Sequence, residues 1–130
     1  MIATTLNGIT FVNFNEIDIN KGDDAVCVVD EKFNDDDELA LKVEVGLGVT
    51  IGYLPKLSTI QKWGTDAKER GDVNSYQYNR DRYISTKYIR DNITTDLYRN
   101  KLKSVPCKIG RISRDEDDNI ISVSVLFDYI

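Results

Sequence analysis

The stretch from Phe33 to Lys56, FNDDDELALKVEVGLGVTIGYLPK, decides the fold. After an acidic turn the chain alternates: Leu39, Leu41, Val43 and Val45 point one way, Ala40, Lys42 and Glu44 the other. A side-chain period of two is the mark of a half-buried strand. Gly46 and Gly48 supply a turn, and Val49 to Leu54 reads as a second strand closed by Pro55. The segment is therefore expected to be a two-stranded ribbon.

Strands are expected on both sides of it. Gly8 to Phe14 (GITFVNF) has apolar residues on both faces, Ile9 and Phe11 against Val12 and Phe14, and predicts a strand covered on both sides. Asn20 to Asp24 predicts a turn and Ala25 to Val29 a central strand. At the other end, Val105, Cys107 and Ile109 alternate with Pro106, Lys108 and Gly110. Ile121, Val123, Val125 and Phe127 alternate with polar neighbours, and Arg114 to Asn119 (RDEDDN) supplies the turn of a hairpin. Between these blocks, Ser58 is the expected N-cap of a helix reaching Arg70, with Gly64 a weak point and Gly71 just past its end. Trp63 is expected to pack that helix on the sheet. Asp72 to Asp81 reads as a loop, followed by one or two helices broken near Asp91-Asn92. The whole is one mainly β (α+β) domain over residues 1–130, a small barrel or strongly curled sheet with inserted helices.

The composition, 41% hydrophobic and 30% charged, is that of a globular chain, and no apolar run is long enough to span a membrane. The first residues show no secretory signal, so cytoplasmic residence is expected. With no histidine, His-based acid–base catalysis and His-built triads are excluded. Two cysteines, Cys27 and Cys107, do not complete a zinc site; each alternates with apolar neighbours and reads as a buried free thiol, with a disulfide open only if their strands are adjacent. Phosphate-binding glycine loops are absent. Asp35 to Glu38 breaks the alternation of a calcium loop at Leu39, and both it and Asp115 to Asp118 read as solvated turns. No cofactor and no enzymatic activity are expected.

Charge is unevenly spread. Met1 to Pro55 holds eleven acids and three bases, Lys56 to Arg111 six acids and thirteen bases, and Ile112 to Ile130 five acids and one base. In the basic middle, Tyr76, Tyr78, Tyr83, Tyr88 and Tyr98 are interleaved with Arg80, Arg82, Lys87, Arg90 and Arg99. That pattern suits nucleic acid, through stacking and phosphate neutralisation, but equally a protein partner or the packing of amphipathic helices.

These motifs, in this order, resemble the HIRAN domain family. The matching residues are Asn34, Asp37, Ala40, Leu41, Val43, Gly48 and the Ile51-Gly52-Tyr53-Leu54-Pro55 exit, with Gly8, Ile9 and Phe11 upstream; residues 72–103 look like a helical insertion. The resemblance implies a small OB- or SH3-like β-barrel and a non-enzymatic module that binds nucleic acid, single-stranded DNA or its 3′ ends. It also implies a binding set of Phe11, Asn34, Asp37, Tyr53 and Lys56: Phe11 for base stacking, Asn34 and Asp37 lining the pocket, Asp37 accepting from a terminal 3′-hydroxyl, and Lys56 on phosphate. A carboxylate accepts from a hydroxyl and repels an internal phosphate, so it selects an end. Asp36 stands where DNA-capturing members carry an aromatic residue, and Thr10 where they carry a base. With an isoelectric point of about 4.7, these keep a second reading open: a protein-interaction or regulatory adaptor on the same fold.

Overall fold

The computed structural model describes residues 1–9, 12–14, 16–32 and 38–130. Six strands, β1 (Ile2–Thr5), β2 (Asp24–Val29), β3 (Leu41–Val45), β4 (Val49–Tyr53), β5 (Val105–Arg114) and β6 (Ile120–Phe127), form one antiparallel sheet in the order β1-β6-β5-β2-β3-β4. The chain turns from β1 toward the opposite edge at Leu6 and Asn7. The Leu6 amide still bonds to Val123 O on β6 (2.8 Å), whereas Asn7 and Tyr53 exchange two backbone bonds of 2.8 Å at the end of β4. The two edges therefore meet at one end, and the sheet is a curled half-barrel.

Two helices, α1 (Leu57–Glu69) and α2 (Val73–Thr94), follow β4 directly, and a single π-helical turn, Thr95–Arg99, extends α2. Their junction is three residues long. The Gly71 amide bonds to Lys68 O and the Asp72 amide to Ala67 O, with Gly71 at φ +72°, so α1 ends in a Schellman motif. Asp72 then caps α2, accepting from the Ser75 amide at 3.0 Å and the Ser75 hydroxyl at 2.7 Å. The concave side of the sheet buries Cys27, Leu41, Val43, Ile51, Ile109, Val123, Val125 and Phe127, and Ile89 and Ile93 of α2 close over them. Among the described residues no helix is long and apolar enough to cross a membrane.

The ribbon, the central strand and the closing hairpin form as expected, with refinements. β4 carries one extra residue, Ile51, between the Val43–Gly52 and Glu44–Thr50 pairs. Ile121 is exposed rather than continuing the inward row of Val123, Val125 and Phe127. The cysteines sit on adjacent strands, but Cys27 opposes Val105 and Cys107 opposes Ala25, and both are buried free thiols.

Other expectations are corrected. Of Gly8 to Phe14, the described residues lie outside any strand: turn bonds run from Val12 N to Ile9 O and from Ile17 N to Phe14 O, and the first strand is β1. The described apolar residues Ile9, Val12 and Phe14 belong to turns at the barrel end, where Ile9 is buried. Asp72 to Asp81 is helical and Asp91-Asn92 breaks nothing, because the positions α2 buries include Asn79, Thr86 and Arg90. Each has a local or tertiary partner. Asn79 donates to Ser75 O (2.9 Å) and Thr86 meets the Thr4 hydroxyl (3.2 Å). Arg90 donates to Pro55 O (3.2 Å) and to Leu39 O. Trp63 does not anchor α1 to the core; it is 38% exposed and carries the Arg82 guanidinium 5.4 Å from its ring centre.

Ser58 is also not the N-cap. That position is Lys56, whose side chain makes no capping bond. Glu38 caps α1 from across the ribbon, accepting from the Leu57 amide (2.5 Å), the Ser58 amide (3.1 Å) and the Ser58 hydroxyl (2.8 Å). A carboxylate there satisfies orphan amides and meets the positive end of the helix.

Candidate functional site

The Asn7–Tyr53 bridge creates a cleft of about 520 Å³ where the sheet edges meet the start of α1. Its walls include Val12, Ala40, Leu41 and Leu54, and its polar lining comes from Asn7, Tyr53, Lys56 and Thr59. No described lining residue is a carboxylate, in a chain that has 22 of them.

Two glycines make the close approach feasible. A Cβ on Gly52 would sit 3.0 Å from both Asn7 O and Leu6 Cβ, so only glycine lets the turn after β1 reach β4. A Cβ on Gly8 would lie 3.4 Å from the Tyr53 ring. Tyr53 is fixed from its other end. Its hydroxyl donates to Asp30 Oδ2 at 2.6 Å, and the buried Asp30 accepts from the Lys32 amide at 3.1 Å while its own amide bonds to Ala40 O at 2.8 Å. This hydrogen bond, with burial and the Asp30 charge, pushes the Tyr53 phenol up to about 12. A buried carboxylate with a donor is far cheaper than one without. Tyr53 is thus a neutral, oriented ring at any physiological pH.

Of the five residues expected at a binding site, Tyr53 and Lys56 share this cleft. Phe11, Asn34 and Asp37 lie outside the described residues, as do Thr10, Asp35 and Asp36. Asn7 and Thr59 also line the cleft, arriving through the bridge and the first turn of α1, which no local pattern announces, and Val12, expected on a strand face, lines it from a turn. Asp30 is equally silent, a buried strand-end acid that accepts from the Tyr53 hydroxyl.

The Tyr/Arg run of the middle does not form one surface. Tyr76, Arg80 and Tyr83 line a groove between α1 and α2, whereas Tyr78 and Arg82 lie on the flank toward β1. Arg90 is buried and committed to carbonyls, and Lys87 pairs with Asp91 at 2.6 Å. The acidic tip behaves as a turn: Asp115 accepts from the Asp117 and Asn119 amides, and no group of three metal-ligating side chains occurs among the described residues.

No protein-family model matches the chain, and no curated protein or solved structure is significantly similar to it.

Proposed function

We propose that the chain is a non-enzymatic, HIRAN-like module of OB- or SH3-like descent that binds nucleic acid, single-stranded DNA or its 3′ ends, in the cleft between the Asn7 turn and the β4–α1 corner. One observation carries the reading. Two of the stretches on which the resemblance rests, around Gly8 and around Tyr53, are hydrogen-bonded together through Asn7 and wall the same cleft. A fixed aromatic ring, apolar walls, one lysine and no described carboxylate suit a base with its phosphate. A base offers a flat apolar face, and its phosphate requires a cation.

Asp37 takes the 3′-hydroxyl in this reading. Fluorescence anisotropy with otherwise identical 3′-hydroxyl and 3′-phosphate oligonucleotides at low salt tests it. Tighter binding of the hydroxyl form, weakened several-fold by Lys56→Ala, is the expected result. Equal affinity for the two ends removes the Asp37 role. Absence of binding to either at high micromolar protein removes the function.

A further inference from the structure

We propose that a strand held in the cleft continues past Trp63 and Arg82 into a hydroxyl-lined trough on the outer face of β1, β6 and β5, so that this chain binds several nucleotides of single-stranded nucleic acid rather than an end alone. This rests on the cleft reading above.

Two elements lead from one place to the other. Thr59 and Trp63 lie one turn apart on α1, Lys56 precedes them as its N-cap, and Lys56 and Thr59 line the cleft. On the sheet side, Asn7 lines the cleft and Thr5, two residues earlier, lines the trough. A ridge joins these elements: Arg82 lies over the Trp63 ring and donates to Thr5 O at 3.0 Å. Trp63 keeps 38% of its surface exposed beneath this guanidinium, and Tyr78, 59% exposed, stands at the far side.

The trough encloses about 600 Å³. Its lining includes the hydroxyl residues Thr5, Ser113, Ser122 and Ser124 together with Lys21, Arg111 and Tyr78. Arg111 is there because of a bulge. Between the Ile109–Val125 and Ile112–Val123 pairs, two residues of β5, Gly110 and Arg111, face Ser124 alone. The amide freed at Arg111 bonds to Ser124 Oγ at 2.8 Å, and a Cβ on Gly110 would clash with that same oxygen at 2.8 Å. Bulges re-aim side chains in this way. Lys21 is brought alongside by its turn, where the Gly22 amide bonds to Ile109 O at 2.8 Å.

Charge selects the occupant. Among the described residues the trough lining has two cations and no carboxylate. Among the described residues the passage beside Arg82 has one acid, Asp81, which accepts from the Gln77 side-chain Nε2 at 3.0 Å. Alternating rings, cations and hydroxyl donors match a strand of bases and phosphates, and Arg stacked on an indole adds a further π surface.

The single tryptophan gives the experiment its reporter. Oligothymidylates of about four and about twelve nucleotides are titrated at low salt, read by Trp63 emission and by anisotropy. The longer strand is expected to bind at least tenfold more tightly and to quench Trp63. Replacing Lys21 and Arg111 by alanine is expected to bring the longer strand down to the affinity of the shorter one, leaving the shorter unchanged. It should also reduce the slope of log affinity against log salt by about 1.4, the value for two phosphate contacts on a single strand. Equal affinity for the two lengths, or an unchanged longer-strand affinity in the double variant, overturns the proposal. So does an acidic peptide that displaces the longer strand at equal concentration, which assigns the trough to proteins. Lys56→Ala separates the two readings. If it weakens both lengths while the Lys21/Arg111 variant weakens neither, the cleft stands and the trough falls; if it weakens neither, the cleft falls and the continuation with it.

Discussion

Glu38 is the acid on which the start of α1 depends, and removing its charge should be visible as a pH-dependent loss of stability. The carboxylate accepts three hydrogen bonds from Leu57 and Ser58. Burial pushes it up, but the Ser58 and Leu57 hydrogen bonds and the Arg90 charge outweigh that and hold it below its ordinary value of 4.5. A lost cap costs about 1 kcal/mol, and a charge at a helix N-terminus adds about 0.3–1 kcal/mol. Glu38→Gln keeps shape and one acceptor, and is expected to lose about 1 kcal/mol at pH 7; Glu38→Ala loses about 2 kcal/mol by both contributions. In a chain of this size 1 kcal/mol moves the melting temperature by about 3–5 °C. Because the folded-state value is depressed, the contribution is present above the unfolded value and disappears as pH falls through the folded one. Urea melts of wild type and Glu38→Gln should therefore differ at pH 7 and converge in acid, where the protonated carboxyl resembles the amide. A difference that persists unchanged near pH 3, or a Glu38→Ala variant within 0.3 kcal/mol of wild type at pH 7 by urea melts with an error of about that size, would refute the cap.

Three other outcomes are expected. Arg90→Met withdraws a buried charged donor from Pro55 O and Leu39 O and should cost about 2–4 kcal/mol in urea melts. Gly64→Ala should stabilise by about 0.5–1 kcal/mol, since the new Cβ meets nothing closer than Asn79 Cβ at 3.6 Å and helix propensity favours alanine; a lowered melting temperature would show that α1 and α2 need the closer approach. Neither thiol should react with a disulfide reagent in the folded protein at pH 8, and both should after unfolding. Burial pushes Cys107 up to about 12 and Cys27 higher still, the neighbouring Cys107 adding to the effect; rapid labelling of the native state would contradict that packing.

The parts of the fold legible in the sequence are those where burial and alternation coincide. Val43 and Leu41, or Val123 and Val125, are buried because they are apolar and two apart, and the ribbon and hairpin follow. α2 breaks that link. Its inward positions include Asn79, Thr86 and Arg90, whose partners lie one turn back, on β1, and at the ends of the ribbon, so no apolar stripe marks its first half. Gly8 to Phe14 misleads in the opposite way, being apolar although its described residues lie outside any strand. At the site, Tyr53 and Lys56 were legible because an uninterrupted motif carries them. Asn7 was not, because its role is a backbone exchange with a residue 46 positions away. The cap on α1 was misplaced to Ser58 for the same reason: the acid that performs it is 19 residues upstream of the amide it serves.

The three-residue junction between α1 and α2 has a consequence for timing. The helical hairpin needs only neighbouring residues and a shared pair of caps, so it can assemble on the microsecond scale of helices and short loops. β1 must instead find β6 across almost the whole chain, pairing Thr5 with Ser124, and such distant closures are slow. The helices should acquire amide protection in pulse-labelling experiments well before the β1–β6 seam. The surface of Thr5, Ser122 and Ser124 built on that seam is then the last to form, and a chain caught early would carry the Trp63–Arg82 pair without the Thr5 carbonyl that Arg82 bonds in the finished fold.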